Sequence, residues 1–538
     1  FIGVDPHSGS NNIDHRTSEI SLKELIVRRG QPFKFTLKLA KPFKLALDEL
    51  IMTVKTVQRL PSAKAVWKAE LQRSTAPETG ILTLSITPSV DSPVGEYTMS
   101  ARLGEEERAL ANLSVLSAFC VILFNVFMIS TGDMVFMPDE VERKEYVMNE
   151  QGIIYKGVDN YIAPIHWDYG QFEQDMVSIC VKILDCSIKH KQDPAKDVSA
   201  RCNAIYVSRV ITSMINSENE GGILKGNWGN DFRGGVSPTH WSSSYPILKN
   251  WFNACFCSVK YGQCWVFSGV MCSVMRLLGI PCRVITNYQS AHDTNKNLII
   301  ETYFADYGVR EKESKDSVWN YHVWVEGWMR RPDLAKDGRY DGWQVLDPTP
   351  QEKSDGMFCC GPAPVSAVRN GDTHLKYDVP FVFAEVNADC ITWLVSGWFI
   401  YDHRIGQSIS TKAIGTSKRM DITNSYKQKE GGCQDGIGTQ NLLATRYKCY
   451  QLRKCSYSSN FVLLKVSRPV NGEDVSVRLV LNSDSKVVRL LSINISVQAM
   501  RYTGRPAGNI LANSTEQQLM PGRGDFLRRP FIEYSCLL

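Results

Sequence analysis

A chain of 538 residues is too long for a single hydrophobic core, so length alone points to about three or four domains. Hydrophobic residues make up 43% and charged residues 22%, which excludes a disordered or fibrous chain. The net charge of +5 is small and dispersed, and no run reaches the roughly 18–20 apolar residues of a membrane span, so neither nucleic acid nor a bilayer is an expected partner. Sixteen cysteines, several inside apolar runs (Cys120, Cys180, Cys272), read as reduced buried thiols rather than a disulfide framework. That favours a cytoplasmic protein, with three Asn-x-Ser/Thr acceptor triplets keeping extracellular release as the alternative. The first residue is Phe1 rather than Met, which reads as a fragment or a processed form.

Residues 1–130 form the first unit. Short alternating runs, Phe33-Lys34-Phe35-Thr36-Leu37, Leu82-Thr83-Leu84-Ser85-Ile86 and Tyr97-Thr98-Met99-Ser100, predict an antiparallel β-sandwich. Between 131 and 450 helical stretches (175–188, 264–278) mix with Trp-rich strands, the texture of an α+β domain. From 451 to 538 alternation returns, as in Phe461-Val462-Leu463-Leu464-Lys465-Val466 and Val475-Ser476-Val477-Arg478-Leu479, and predicts a second all-β module.

Chemistry concentrates in the middle unit. After Tyr261-Gly262-Gln263-Cys264-Trp265-Val266-Phe267 apolar residues recur at helical spacing (Phe267, Val270, Met271, Val274, Leu278) and stop at Gly279, with Pro281 beyond. Cys264 therefore starts a helix, where the exposed amides and the dipole favour a thiolate. Val318-Trp319-Asn320-Tyr321-His322-Val323-Trp324-Val325-Glu326 reads as a strand carrying His322, a candidate acid/base. Trp343-Gln344-Val345-Leu346-Asp347-Pro348 is a short strand ending in an acid that could orient His322. Taken singly, Cys264 reads as a buried thiol, His322 as a core histidine and Asp347 as a turn residue. Together they suggest a papain-like order of nucleophile, base and orienter. In Gly226-Asn227-Trp228-Gly229-Asn230 the indole of Trp228, a donor only, could bond an oxyanion beside the amide of Cys264, or could simply cover its loop.

These three active-site blocks, with Val27-Arg28-Arg29-Gly30-Gln31-Pro32-Phe33 and Phe381-Val382-Phe383-Ala384-Glu385-Val386-Asn387-Ala388-Asp389, resemble those of the animal transglutaminases from about residue 13 to 510. The resemblance implies a multidomain α+β protein: an N-terminal β-sandwich, a papain-like α+β core and a C-terminal β-barrel segment, the family's second barrel being absent. It implies acyl transfer from protein glutamine to a lysine or polyamine amine, with a thioester on Cys264 and deamidation as a side reaction. Cys264, His322 and Asp347 match the triad, Trp228 the tryptophan that stabilises the transition state, and Trp319 a wall of the amine tunnel.

Calcium is the cofactor the resemblance implies. In Asp293-Thr294-Asn295-Lys296-Asn297-Leu298-Ile299, oxygen side chains fall on every second residue, as a loop wrapped around a hard cation requires and as a solvated polar loop also allows. By resemblance Asp293, Asn295, Asn297, the Ile299 carbonyl and Asp316 form one site. Asn387, Asp389, Glu430 and Asp435 form a second, with Asp435 standing where the family more usually has Glu. Asn216, Glu218 and Glu220 form a third. The guanine-nucleotide arginines of some members are not matched near Lys465, so GTP binding is not expected. Tyr502 resembles the barrel tyrosine that masks the resting nucleophile. The competing expectation is a transglutaminase-like scaffold with weak or no catalysis.

Overall fold

The computed structural model describes residues 2–56, 66–103, 116–128, 132–158, 160–219, 221–304, 314–394, 399–402, 404–428, 440–445, 448–453, 460–466, 474–483, 489–500, 506–519 and 531–537. The alternating N-terminal runs form two four-stranded sheets. One orders Gly3–Asp5, Phe33–Lys38, Ile81–Thr87 and Lys68–Leu71; the other orders Leu25–Arg28, Leu116–Leu123, Gly95–Leu103 and Leu50–Thr56. Phe33, Phe35, Leu37, Leu82, Leu84 and Ile86 of the first meet Leu25, Val27, Tyr97, Met99 and Ile122 of the second in one core. Period-two alternation puts these side chains on the inner faces, as expected of a sandwich.

The middle unit is built on a six-stranded sheet ordered Cys360–Pro364, Gly342–Asp347, Ser317–Met329, Cys282–His292, Ser408–Lys412 and Arg419–Asp421. The histidine strand, Ser317–Met329, lies between the aspartate strand, Gly342–Asp347, and Cys282–His292, with Asn287 opposite His322 and Val325 opposite Leu346. Against it packs the helix Cys264–Leu278, all 15 residues of which are buried. Gly269 lets the helix approach the indole of Trp167, because a Cβ there would meet the ring at 2.3 Å. Ser268 Oγ donates to the Val323 carbonyl at 2.8 Å, fixing the helix one residue from His322. As the sequence predicts, the helix ends at Gly279, whose φ of 91° lies in the left-handed region.

The sandwich is keyed to this helix. Phe124 N–H donates to the Leu278 carbonyl at 3.1 Å, and a Cβ on Gly279 would lie 2.8 Å from the Arg28 guanidinium. A buried cation at a helix C-terminus complements its partial negative charge. Next to it, Arg29 Nε and Nη2 grip both oxygens of Asp133 at 2.7 and 2.8 Å, and Nη1 reaches the Cys202 carbonyl at 2.7 Å. Towards the C-terminus the described strands pair antiparallel in three sheets. They are Gln440–Thr445 with Lys448–Arg453; Asn460–Val466, Asp474–Ser483 and Phe531–Leu537; and Arg489–Met500 with Pro506–Leu519. Both C-terminal runs singled out by alternation are strands of the second of these. Among the described residues the three sheets do not close into a barrel.

Removing one partner of a buried, hydrogen-bonded ion pair strands the other charge, which costs about 3–5 kcal/mol. Asp133→Ala is therefore expected to lower the urea midpoint markedly by leaving Arg29 uncompensated between sandwich and core. An unchanged midpoint would show that the pair contributes nothing to holding the two together.

Candidate active site

The strand Val259–Gly262 delivers the chain to Gln263, which is extended (φ −134°, ψ 179°) and precedes the helix that begins at Cys264. The Gln263 carbonyl accepts from Val266 N–H at 2.8 Å and Phe267 N–H at 3.1 Å. The amides of Cys264 and Trp265 thus lie ahead of the first intrahelical bonds, where an anion is favoured. Cys264 itself is only 4% exposed.

His322, 1% exposed, places Nε2 2.7 Å from Asp347 Oδ2. Its Nδ1 is buried without a hydrogen-bond partner, and is the nitrogen left for the Cys264 sulfur. Asp347 is pinned in turn, its Oδ1 accepting Thr349 N–H at 2.9 Å. Burial works against the imidazolium, but the Asp347 charge and hydrogen bond, joined by the Cys264 sulfur, hold His322 well above the ordinary histidine value. Since the folded value is the raised one, this pair's contribution to stability is complete below about pH 6.5 and is lost as pH rises through the folded value.

Two further residues belong to this cluster, neither given a role from sequence. Gln351 Nε2 donates to Asp347 Oδ2 at 2.8 Å and to Glu385 Oε1 at 3.0 Å. Glu385, fully buried on the helix Val379–Asn387, has Oε1 3.7 Å from His322 Nε2, while its Oε2 has no partner. Burial, then the neighbouring Asp347 charge, push Glu385 up to about 8, so at neutral pH it is a neutral acid beside a charged one. The available signal was a lone acid in the apolar run Val379-Pro380-Phe381-Val382-Phe383-Ala384-Glu385-Val386.

Aromatic side chains wall one flank of the cysteine. Trp228, 46% exposed, stacks on Phe267 at 6.2 Å and 13°, and lies 6.3 Å from Trp319, whose ring meets His322 edge-on at 4.8 Å. Gly226 makes room for this indole, since a Cβ there would meet it at 2.4 Å. Gln263 Nε2 donates to the Asn227 carbonyl at 2.8 Å, tying the Trp228 loop to the residue before Cys264.

The polar loop after Cys282–His292 coils around Asp293. Its Oδ1 accepts from the amides of Asn295 (3.1 Å) and Lys296 (2.8 Å), and its Oδ2 from that of Leu298 (2.7 Å). Asn295 Oδ1 accepts Asn297 N–H, and Asn297 Oδ1 accepts Ile299 N–H. Asp316 joins from outside the loop, its Oδ1 accepting from the amide and hydroxyl of Thr294. Burial, opposed by the loop amides and assisted by the Asp316 charge, raises Asp293 above the ordinary carboxylate value. Two buried acids held together amid further oxygens fit a hard cation, which would relieve both the burial and the repulsion.

Asn387 ends its helix and Asp389 begins the strand Asp389–Leu394, in parallel register with Ile299. Two of the expected ligand sets are therefore neighbours. Asn216 is buried, its amide donating to the Pro348 and Phe358 carbonyls at 3.2 and 2.9 Å, whereas Glu218 is exposed. That amide braces the turn after Asp347, while the Asn216 Oδ1 accepts from Asn219 Nδ2 at 3.4 Å. Glu220, Glu430, Asp435 and Tyr502 lie outside the described residues.

Family models described as "Transglutaminase family" and "Transglutaminase-like superfamily" match residues 3–104 and 248–348. Protein-glutamine gamma-glutamyltransferase 6 of Homo sapiens is 41% identical, over 96% of this chain and 78% of its own length. Protein-glutamine gamma-glutamyltransferase E of Homo sapiens is 39% identical over 95% and 76%, and protein-glutamine gamma-glutamyltransferase 2 of Gallus gallus is 43% identical over 78% and 63%. Among solved structures, red sea bream transglutaminase superposes with a TM-score of 0.73 at 34% identity, covering 100% of this chain and 79% of that one.

With the Asp347 charge removed, burial alone would act on the imidazole. Asp347→Asn is therefore expected to drop the His322 titration midpoint below about 6.5, the ordinary histidine value, as read by NMR of histidine-labelled protein. A midpoint that stays high in the variant would remove Asp347 as its cause.

Proposed function

Since this chain belongs to the transglutaminase family and is an acyltransferase of that class, we propose that it works through a Cys264 thioester and requires calcium. One observation supports this most directly: His322 is fixed by Asp347 at 2.7 Å and keeps its second nitrogen unpartnered beside a cysteine at a helix N-terminus. The Cys264 thiolate attacks the side-chain carbonyl carbon of a glutamine. The oxyanion that forms takes hydrogen bonds from the Cys264 amide and the Trp228 indole N–H. Collapse breaks the C–N bond, and the His322 imidazolium protonates the departing nitrogen, which leaves as ammonia.

A lysine or polyamine amine then enters against Trp228 and Trp319. Neutral His322 takes its proton as the amine attacks the thioester, and the thiolate departs, leaving an isopeptide or substituted amide. Water in place of the amine gives glutamate. The indoles favour transfer over hydrolysis by keeping water from the thioester. Glu385, held neutral, adds no second negative charge, so the imidazolium stays paired to Asp347 and the thiolate alone.

Asp293, Asn295, Asn297, the Ile299 carbonyl and Asp316 are the residues that would hold calcium, with Asn387 and Asp389 adjacent. The ion would supply positive charge between carboxylates that now repel each other.

The deciding assay is incorporation of a fluorescent primary amine into a glutamine-rich protein. Signal is expected with calcium and is expected to vanish with a chelator or in Cys264→Ala. Incorporation by Cys264→Ala would refute the assigned nucleophile. Asp316→Asn removes one charged ligand and is expected to raise the half-maximal calcium concentration on the order of tenfold, leaving the saturated rate nearly unchanged. An unshifted calcium titration would exclude Asp316 from the ion's shell.

A further inference from the structure

Successive residues of an α-helix turn by about 100°, so Trp265 lies about 100° to one side of Cys264 and Phe267 about 60° to the other. The two flanks of the nucleophile differ in character. The Phe267 flank carries Trp228 and Trp319. On the Trp265 flank stands Tyr321, with its ring 6.4 Å from that of Trp265, and a cation: Lys156, half-buried on the strand Gln151–Val158, holds Nζ 3.6 Å from the Trp265 ring centroid. Among the described residues no carboxylate pairs with Lys156. Seated on the ring of the residue that follows Cys264, the ammonium lies beside the start of the helix; burial depresses its pKa and the Cys264 sulfur opposes that. The phenol of Tyr321 is pushed upward by burial and by the same sulfur, so it is neutral and offers no counter-charge.

An unpaired, partly desolvated ammonium on the edge of a reaction centre attracts anions and repels cations. The face of Trp265 is already occupied by Lys156, whereas Trp228 is 46% exposed and still presents an indole to an incoming cation. We propose that Lys156 determines donor specificity, selecting glutamine substrates with a carboxylate side chain next to the reactive glutamine and turning cationic amine acceptors to the Trp228–Trp319 flank. The assignment rests on acyl transfer at Cys264, and adds to it which side of the nucleophile each substrate approaches.

The test uses the full chain with calcium and hydroxylamine, an acceptor that is uncharged at neutral pH. Two glutamine peptides differing only in Asp or Lys beside the glutamine are compared by kcat/KM. The unaltered chain is expected to favour the Asp peptide by about two- to fivefold at low salt, as a partly exposed charge pair allows, and less at high salt. Lys156→Gln should bring the ratio to about one, Lys156→Glu should invert it, and Lys156→Arg should keep it. Because each ratio is measured within one protein sample, partial misfolding of a variant does not alter it. Turnover of both peptides with the same ratio in all four proteins would overturn the role of Lys156 while leaving acyl transfer at Cys264 standing.

Discussion

Complete burial of the helix Cys264–Leu278 is the constraint on which the rest of the core depends. Burying a polar group without a partner is costly, and this helix, with all 15 residues inside, bonds most of its polar side chains, the Trp265 indole nitrogen being an exception. Ser268 bonds the histidine strand, Ser273 the Gly269 carbonyl, and Arg276 the carbonyls of Cys282 and Asn149. The Ser268 and Arg276 bonds also fix positions: helix to histidine strand, helix to its own exit strand, helix to the start of the middle unit. At its C-terminal end the sandwich closes the arrangement through Phe124 and Arg28. The helix therefore has little freedom to rotate, and Cys264 inherits that rigidity.

Charge in the centre is kept to a minimum. Three titratable side chains, His322, Asp347 and Glu385, meet with almost no access to water, and Gln351 bridges the two acids. Burial and the neighbouring Asp347 charge push Glu385 up to about 8, which favours its neutral form. The imidazole thus faces one formal negative charge on one side and the sulfur on the other. Outside the centre the flanks divide by polarity, with uncharged indoles on one and a lysine over an indole on the other.

Much of this was legible in the sequence. The apolar spacing after Cys264 and the stop at Gly279 mark the helix, and the structure begins and ends it at those residues. Period-two alternation marks the histidine and aspartate strands and the sandwich, because each has one inward face. The Asp293 loop shows through its alternating oxygens. What remained hidden is long-range. Arg28 and Arg29 look like surface residues in a polar stretch, yet both are buried because the carbonyls of Phe124 and Cys202 and the carboxylate of Asp133 come from distant segments. Gln351 and Glu385 meet only once a helix has crossed the end of the aspartate strand, and no local pattern encodes that crossing. The bond from the Asn216 amide to a turn some 130 residues away in sequence is of the same long-range kind.

The placement of the histidine strand between two later-paired neighbours also orders the chain's maturation in time. During synthesis the sandwich and the helix Cys264–Leu278 emerge before residue 280, and the helix can seat against Phe124 and Arg28 at once. His322 gains its fixed position only when Cys282–His292 and Gly342–Asp347 have both paired with its strand, and Gln351 and Glu385 follow later still. A nascent chain thus carries Cys264 for a long interval before His322 is fixed in its strand. Assembly of the sheet is what brings the fixed His322–Asp347 pair to the end of the helix that begins at Cys264.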